Sequence, residues 1–235
     1  MIDSFLLSWN HYTTVFSNVL PFLLQGFVET LKVSFIAIIA GSTLGFAIGI
    51  LRSERLPVID RLLALYIHIL RGTPFLVQLY VFYYVMPNLN ISWLQWDSST
   101  AAFIALSIYT SSYVAEIVAS AIATVPQGQW NAATALGLTH LQTLRLIILP
   151  QALKLMIPPM SGVYVMIIKS TAIISVVGIT ELTRQGENAI LLYPKDILFI
   201  WAVVAMLYFI YCYPVLRFAR WTERKLGVAR TLELD

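Results

Sequence analysis

Five long apolar runs constrain the fold of this chain more than any other feature of its sequence. Residues 33–51 and 197–216 contain no charged side chain, and a helix that crosses a bilayer needs about 20 mostly apolar residues. Only 11% of all residues are charged, against about 25% in soluble proteins. The sequence therefore predicts an all-α integral membrane protein with five transmembrane helices in one domain, residues 1–235. The predicted spans cover approximately residues 20–51, 58–88, 98–124, 154–180 and 196–220.

The basic residues are unevenly distributed between the two sides of these spans. If the N-terminus lies outside, the outer segments contain only Arg184 and Lys195. The inner segments then contain Arg52, Arg55, Arg61, Arg145, Lys154, Arg217, Arg220, Arg224, Lys225 and Arg230. Lys and Arg are enriched in cytoplasmic segments. We therefore expect an outer N-terminus, a cytoplasmic C-terminus and a cytoplasmic connection over residues 125–153.

This connection is unusually polar for such an apolar chain. The pattern predicts a short helix from about Gln129 to Leu136, followed by Gly137, which can adopt the positive φ that ends a helix. Thr139 is a suitable N-cap for a second helix, which is expected to run to Pro150. Two readings are open at this point: a docking surface for a cytoplasmic partner, or an amphipathic helix pair that lies on the bilayer.

The spacing of small and apolar residues in this connection resembles a known loop. Ala132, Ala133, Gly137 and Ile147-x-Leu149-Pro150 are similar to the EAA loop of ABC importer membrane subunits. Four further stretches, in the right order, resemble the polar amino acid uptake permeases of the histidine, glutamine and arginine type. They are LRGTPFLVQLYVFYY (70–84), SSYVAEIVASAI (111–122), LPQALKLMIPP (149–159) and IIKSTAIISVVGITEL (167–182).

The resemblance implies a set of partners and a coupling surface. In that family a coupling helix docks on a cytoplasmic ATPase, so the implied coupling residues are Asn131, Ala132, Ala133, Gly137, Leu138 and His140, with Pro150 in a structural role. Asn131 stands where the family has an acidic residue, so an ion pair from this position to the ATPase cannot form. The implied partners are two ATPase subunits, a second permease chain that is identical or homologous, and an extracytoplasmic solute-binding protein.

The resemblance also bears on cofactors and location. It places the chain in the bacterial cytoplasmic (inner) membrane, with ATP and Mg²⁺ bound by the partner ATPase and no cofactor bound by the chain itself. The residues agree with this division, since the sequence contains no G-x-x-x-x-G-K-[ST] phosphate loop. The three histidines are scattered and indicate no metal site. We therefore expect a transport subunit rather than an enzyme.

Among the charged residues within or beside the predicted spans, Arg71, Glu116 and Lys169 are the candidates for a role inside the membrane. Such residues are costly in lipid and require a partner or a function. Arg71 and Glu116 are expected at a similar depth, where they could form a structural pair, or Glu116 could contact a ligand. Lys169 has no expected partner at its depth. This indicates a water-filled path or an anionic ligand such as an amino acid carboxylate, unless Lys169 has a purely structural role.

A proline inside the second span adds a further polar feature. Pro74 lacks an amide hydrogen, so carbonyl groups near Leu70 lose their helical partner and could bind a ligand if they line a cavity. Thr73 and Gln78 are candidate pathway residues beside this break, and Thr171 and Ser175 could extend the lining beyond Lys169. An ordinary proline kink would produce the same pattern.

The sequence as a whole predicts the membrane-spanning subunit of an ATP-driven importer for a polar or charged amino acid. An ion-gradient-driven transporter is less compatible, because such proteins often contain internal repeats and no repeat is found here. The chain could also be a membrane enzyme, although no catalytic constellation stands out, or a non-transporting membrane scaffold. Glycines at 41, 45 and 49 follow the spacing of closely packed membrane helices and predict helix packing rather than a pore.

Overall fold

The computed structural model describes residues 2–54 and 56–226, and these residues form helices and short connections without a β-strand. The α-helices are α1 (Ile2–Ser53), α2 (Pro57–Gly72), α3 (Phe75–Tyr80), α4 (Ser98–Thr124), α5 (Gln127–Ala135), α6 (His140–Thr143), α7 (Leu149–Ser170), α8 (Leu182–Leu192) and α9 (Ile197–Leu226). A π-helix (Val81–Val85) follows α3 and another (Leu144–Ile148) joins α6 to α7, while a 3₁₀-helix (Thr171–Val177) extends α7. Arg55 and Arg230, which contribute to the predicted orientation, lie outside the described residues.

Four helices are long and apolar enough to cross a membrane, and the bent pair of α2 and α3 brings the number to five. This agrees with the all-helical membrane protein that the sequence predicts. The first candidate span, Trp9–Ser53, is 45 residues long. At about 1.5 Å per residue it is more than twice the thickness of a hydrocarbon core of about 30 Å. Helix α1 therefore extends well beyond the predicted first span.

The fourth candidate span begins earlier than the sequence predicts. A continuous helical stretch runs from His140 to Val177, whereas the sequence predicts that one helix ends at Pro150 and that the span begins near residue 154. The π-helix just before Pro150 explains the continuity. There the amide of Leu149 donates to the carbonyl of Leu144, five residues back, and such wider turns let a helix continue past a residue that lacks an amide hydrogen.

Helices α1 and α4 pack closely through the three predicted glycines. A Cβ atom added to Gly41, Gly45 or Gly49 would lie within 2.6 Å of a Cβ atom on α4, closer than two carbon atoms can approach. The opposing α4 residues, Thr110, Val114 and Val118, repeat with the same spacing of four. The predicted packing role of these glycines is confirmed.

Helix α8 has no counterpart in the sequence prediction. Its N-cap is Glu181, whose carboxylate accepts hydrogen bonds from the backbone amides of Thr183 (2.9 Å) and Arg184 (2.8 Å) and from the hydroxyl of Tyr208 (3.0 Å). Glu181 is fully buried, and this burial raises the pKa of its carboxyl above the ordinary value. The three donors compensate for the burial of the acid and join α8 to α9 at this corner.

Candidate functional site

The chain turns by 106° between α2 and α3, at Thr73–Pro74. Thr73 has an extended backbone (φ −117°, ψ 147°), because the ring of a following proline disfavours the helical conformation. The side-chain amide nitrogen of Gln78 donates to the carbonyls of Leu70 (2.6 Å) and Thr73 (3.1 Å) and to the hydroxyl of Thr73 (2.9 Å). Gln78 therefore satisfies the carbonyls that the break leaves free.

The structure thus brings Thr73 and Gln78 together, but it pairs them with each other. Gln78 is only 7% exposed, and within the described part of the chain its Oε1 atom has no hydrogen-bond partner. Thr73 is exposed and donates its own hydroxyl to the carbonyl of Ile69 (2.8 Å). At this corner the carbonyls of Leu70 and Thr73 are hydrogen-bonded, and Gln78 Oε1 is a buried acceptor without a partner among the described residues.

A second polar feature is a cluster of charged side chains around Glu116. The guanidinium of Arg52 donates to the carboxylate of Glu116 and also lies 3.1 Å from that of Asp60. Arg71 lies 4.0 Å from Glu116, the pairing that the sequence leaves open beside a ligand role, and its guanidinium stands 5.1 Å from the centre of the Tyr113 ring. This ion cluster (Arg52, Asp60, Arg71 and Glu116) joins the ends of α1 and α2 to α4.

Arg52 is the partner that sequence reasoning misses. In the sequence it is counted only among the basic residues of the inner segments, although in the structure it lies closer to Glu116 than Arg71 does. Its separation from Glu116 by 64 residues leaves no local spacing that could reveal the contact. Two positively charged residues, Arg52 and Arg71, lie next to the Glu116 carboxylate, so its negative charge is largely neutralised within the chain.

The structure separates the three candidates on and after α7. Lys169 is exposed, and no carboxylate among the described residues lies within salt-bridge distance of it. Thr171 is fully buried and donates to the carbonyl of Ile168 (2.7 Å), while Ser175 is buried and donates to that of Ala172 (2.9 Å). The 3₁₀-helix that begins at Thr171 changes the rotation per residue, so the spacing expected for an α-helix does not hold beyond Lys169.

The connection between α4 and α6 (residues 125–139) forms a compact turn around Gly137. Gly137 has a φ of +77°, and the amide of Leu138 donates to the carbonyl of Ala133 (3.1 Å). Thr139 then caps α6 as the sequence predicts, and the side chain of Gln142 bonds back to the amide of Thr139. This reciprocal arrangement is a capping box, which fixes the start of a helix locally.

The candidate coupling residues lie mostly on the surface of this connection. Asn131, Ala132, Gly137 and His140 are exposed, Leu138 is half-buried and Ala133 is buried. Leu136 and Leu141, on either side of the turn, are 81% and 72% exposed. Large apolar side chains this exposed at a polar turn are typical of a surface that a partner covers.

His140 links the connection to the end of α1. Its ring stacks on Trp130 of α5 with 5.1 Å between centroids, and its Nε2 atom lies 3.0 Å from the carboxylate of Glu54. A polar cavity of about 760 Å³ separates the connection from the ion cluster. It is lined by residues of both, among them Arg52, Asp60, Glu116, Asn131 and Thr134.

The charged and histidine side chains of this region do not form a metal site. Within the described ranges, no three His, Cys, Asp or Glu residues lie close enough together to hold an ion. The polar groups here bind one another.

Residues 41–228 match the family model of the binding-protein-dependent transport system inner membrane component. The chain is 34% identical over 187 residues to a probable amino-acid ABC transporter permease protein, YckA, of Bacillus subtilis, covering 80% of this chain and 81% of that protein. It is 32% identical to the L-cystine transport system permease protein TcyB of the same organism (88% and 87% covered). It is also 32% identical to the glutamine transport system permease protein GlnP of Escherichia coli (89% and 94% covered).

Two solved structures share the fold. A chain of an amino acid ABC transporter crystallised with histidines is 32% identical, with a TM-score of 0.79 over 93% of this chain and 97% of that chain. A chain of the inward-facing MetNI methionine ABC transporter is 21% identical, with a TM-score of 0.72 over 86% and 97%. At that identity the second likeness concerns the fold alone.

Proposed function

The chain belongs to the family of binding-protein-dependent transport system inner membrane components, and from this premise we propose how its parts act in an importer. It is the membrane-spanning subunit of an ABC importer for amino acids, located in the inner membrane. The substrate class that the relatives support is a polar amino acid, since their names specify glutamine and L-cystine.

The proposed orientation has the N-terminus outside and the C-terminus in the cytoplasm. Among the described residues, Arg52, Arg61 and Arg145 lie near the α4–α6 connection, whereas Arg184 and Lys195 lie near the opposite end, beside α8. Cytoplasmic segments are enriched in such basic residues. This orientation places the connection where a cytoplasmic ATPase can reach it.

The α4–α6 connection is the proposed docking element for the ATPase. The observation that carries this proposal is the exposed helix α5, held by the turn at Gly137 and followed by one helical stretch, His140–Val177, that enters the membrane. A displacement of α5 by the ATPase would pass through the turn at Gly137 and then along that uninterrupted helical stretch. Asn131 is exposed and would contribute a neutral hydrogen bond at the position where related loops carry an acid.

ATP and Mg²⁺ are assigned to two separate ATPase subunits, because this chain has no phosphate-binding loop. No cofactor is assigned to the chain itself. A solute-binding protein would deliver the amino acid at the outer face. The chain would act with a second permease copy, identical or homologous, and the substrate would pass along the interface between the two.

The proposed pathway follows a groove between α4 and α7. A groove of about 250 Å³ lies between these helices, with Glu116, Ser120 and Thr124 on one wall and Leu155 and Pro159 on the other. Lys169 lies fourteen residues beyond Leu155, which places it on nearly the same face of α7, about 21 Å away. Glu116 and Lys169 would therefore contact the path at two levels.

The other pathway candidates take a supporting role in this proposal. Gln78 and Thr73 would hold the α2–α3 corner, and the buried Thr171 and Ser175 would hold the segment that follows α7. Their hydroxyl groups and the amide nitrogen of Gln78 are already engaged inside the chain, while Gln78 Oε1 is buried and has no partner among the described residues. Only a change of conformation would free them for a substrate.

The test is ATP-dependent uptake by proteoliposomes that contain the permease, its ATPase and its binding protein. Gly137→Pro removes the positive φ that the turn requires and should abolish ATPase binding and uptake. Gly72→Ala is the control, since Gly72 ends α2 outside the docking element and has open space around it. Normal assembly and transport by Gly137→Pro would overturn the docking assignment.

Lys169→Ala tests the pathway in the same preparation. We expect normal assembly and a loss of substrate-dependent uptake, since the substitution removes a charge from the proposed path without breaking a salt bridge among the described residues. Unchanged uptake would remove Lys169 from the pathway. Uptake by the wild type in the absence of ATP would instead indicate an ion-gradient-driven transporter.

A further inference from the structure

Helix α9 is longer than a membrane is thick, and its last turns have no role in the importer described above. It contains 30 residues and is therefore about 45 Å long, whereas the hydrocarbon core measures about 30 Å. If the helix enters the core near Ile197, about ten residues at its C-terminal end extend beyond the core. These residues lie at the level of the lipid headgroups.

One face of α9 is exposed and apolar over its middle part. Met206, Phe209, Ile210 and Tyr213 are all exposed on this face, and they follow one another at helical spacing of three, one and three residues. Cys212 and Ala219, by contrast, are buried against the rest of the chain. In a membrane-spanning helix an exposed apolar face contacts lipid acyl chains.

The same face becomes basic and aromatic where the helix leaves the core. At about 100° per residue, the exposed side chains of residues 217–225 occupy one sector of roughly 160° that continues the apolar face. They are Arg217, Phe218, Arg220, Trp221, Arg224 and Lys225, here called the α9 basic face. The side chains of this face contact one another. The rings of Phe218 and Trp221 stack with 5.9 Å between their centroids, and Lys225 Nζ lies 4.4 Å from the centre of the Trp221 ring.

The α9 basic face carries four positive charges, and Glu223 is the one acidic residue within residues 217–225. None of the salt bridges formed among the described residues involves its four cations. Tryptophan favours the boundary between hydrocarbon and headgroups, and Arg and Lys bind phosphate oxygens there. A surface of this kind, continuous with an acyl-chain contact, fits a lipid better than a protein partner.

We propose that the α9 basic face binds the phosphate headgroups of anionic phospholipids in the inner leaflet. Arg217, Arg220, Arg224 and Lys225 would contact the phosphates, and Phe218 and Trp221 would rest on the upper acyl chains. The consequence is a preference of this permease for phosphatidylglycerol-type lipids over zwitterionic ones. This preference is separate from ATPase docking and substrate passage.

The experiment measures lipid preference with the full chain in phosphatidylcholine nanodiscs that contain spin-labelled phosphatidylglycerol or phosphatidylcholine. Wild type should retain phosphatidylglycerol preferentially, and Arg220→Gln/Arg224→Gln should lower that preference by up to about fivefold for each charge removed. Arg184→Gln/Lys195→Gln is the matched control. It removes the same number of charges from α8 and from the residues just before α9, and it should leave the lipid preference unchanged. High salt should abolish the preference of wild type.

Three outcomes would overturn the proposal. The first is an equal loss of preference in the control variant, and the second is an unchanged preference in Arg220→Gln/Arg224→Gln. The third is impaired ATPase binding by Arg220→Gln/Arg224→Gln while its lipid preference stays intact. That third result would mean that the α9 basic face contacts a protein. Arg220→Lys/Arg224→Lys keeps the charge and should keep the preference. If the Gln variant fails to fold, the salt titration of wild type and the Lys variant decide the question.

Discussion

Two corners of this chain each connect one helix to the next, and their backbones are stabilised in opposite ways. The α2–α3 corner at Thr73–Pro74 lies within a candidate span, and the side chain of Gln78 closes it from inside. The turn at Gly137 lies between α5 and α6 on the surface, where local backbone conformation and the Thr139 cap close it. Both corners interrupt the helical hydrogen-bond ladder and leave carbonyls without their usual partners.

The difference follows from the surroundings of each corner. In hydrocarbon there is no water to bind a free carbonyl, so the first corner needs a buried side chain that brings its own donors. At the second corner water can bind any group left over, and a glycine with a short cap suffices. A corner of the first kind depends on a side-chain contact, whereas one of the second kind depends on local backbone conformation.

The largest effect is expected from Gln78→Leu. The substitution leaves the carbonyls of Leu70 and Thr73 without a donor, and each buried unsatisfied group costs about 1–3 kcal/mol. Because the unpaired Oε1 atom is removed as well, we expect a net loss of about 2–4 kcal/mol in the free energy of unfolding. Denaturation of the purified chain in detergent, followed by circular dichroism, measures it.

Gln25→Leu is the matched control for this prediction. Gln25 lies exposed on α1, so the same change there should alter the unfolding free energy by less than about 0.5 kcal/mol. Equal effects of the two substitutions would mean that the contacts of Gln78 contribute nothing specific. The contrast between the two corners would then be unfounded.

The two corners also differ in how far the sequence predicts them. Local chemistry determines the turn at Gly137, so the positive φ and the Thr139 cap can be predicted from neighbouring residues. At the other corner the sequence indicates the break at Pro74, yet it cannot show that Gln78 reaches back eight residues to Leu70. From the sequence, a glutamine next to a free carbonyl is as compatible with binding a ligand as with donating a hydrogen bond to that carbonyl.

The same distinction holds for the rest of the fold and the site. Apolar run length predicts the spans, and the regular spacing of Gly41, Gly45 and Gly49 predicts their packing on α4. The continuity of the helix past Pro150 depends on a π-turn, which has no simple signal in the sequence. The contact of Arg52 with Glu116 depends on how distant helices meet, so the ion cluster could be predicted only in part.

A smaller effect is expected at the turn, from Gly137→Ala. The residue keeps its φ of +77° only at a cost of about 1–2 kcal/mol once it has a Cβ atom. Hydrogen exchange of the amides in α5 and α6 should therefore become faster, while exchange in α4 stays unchanged. Gly128→Ala, in the first turn of α5, should leave the exchange unchanged or slow it. Faster exchange in this variant would mean that replacing either glycine has the same effect, whatever its φ.

Thr139→Ala should weaken the start of α6 by about 1 kcal/mol, the usual contribution of an N-cap side chain. The substitution removes the acceptor of the Gln142 amide and breaks the capping box. Exchange of the Gln142 and Thr143 amides measures the loss. Thr139→Ser retains the hydroxyl and should behave as wild type, and a similar loss in both variants would show that the cap is not what holds the turn.

The smallest effect is expected from Glu54→Gln, which tests whether the turn is held from outside as well as locally. The Glu54–His140 pair is 3.0 Å long but mostly exposed, and such surface pairs contribute at most about 1 kcal/mol. Because salt screens an exposed ion pair, the effect on α6 exchange should shrink as salt is added. An effect larger than that of Thr139→Ala would reverse the comparison, because it would mean that a distant contact with α1 holds this corner, as Gln78 holds the other.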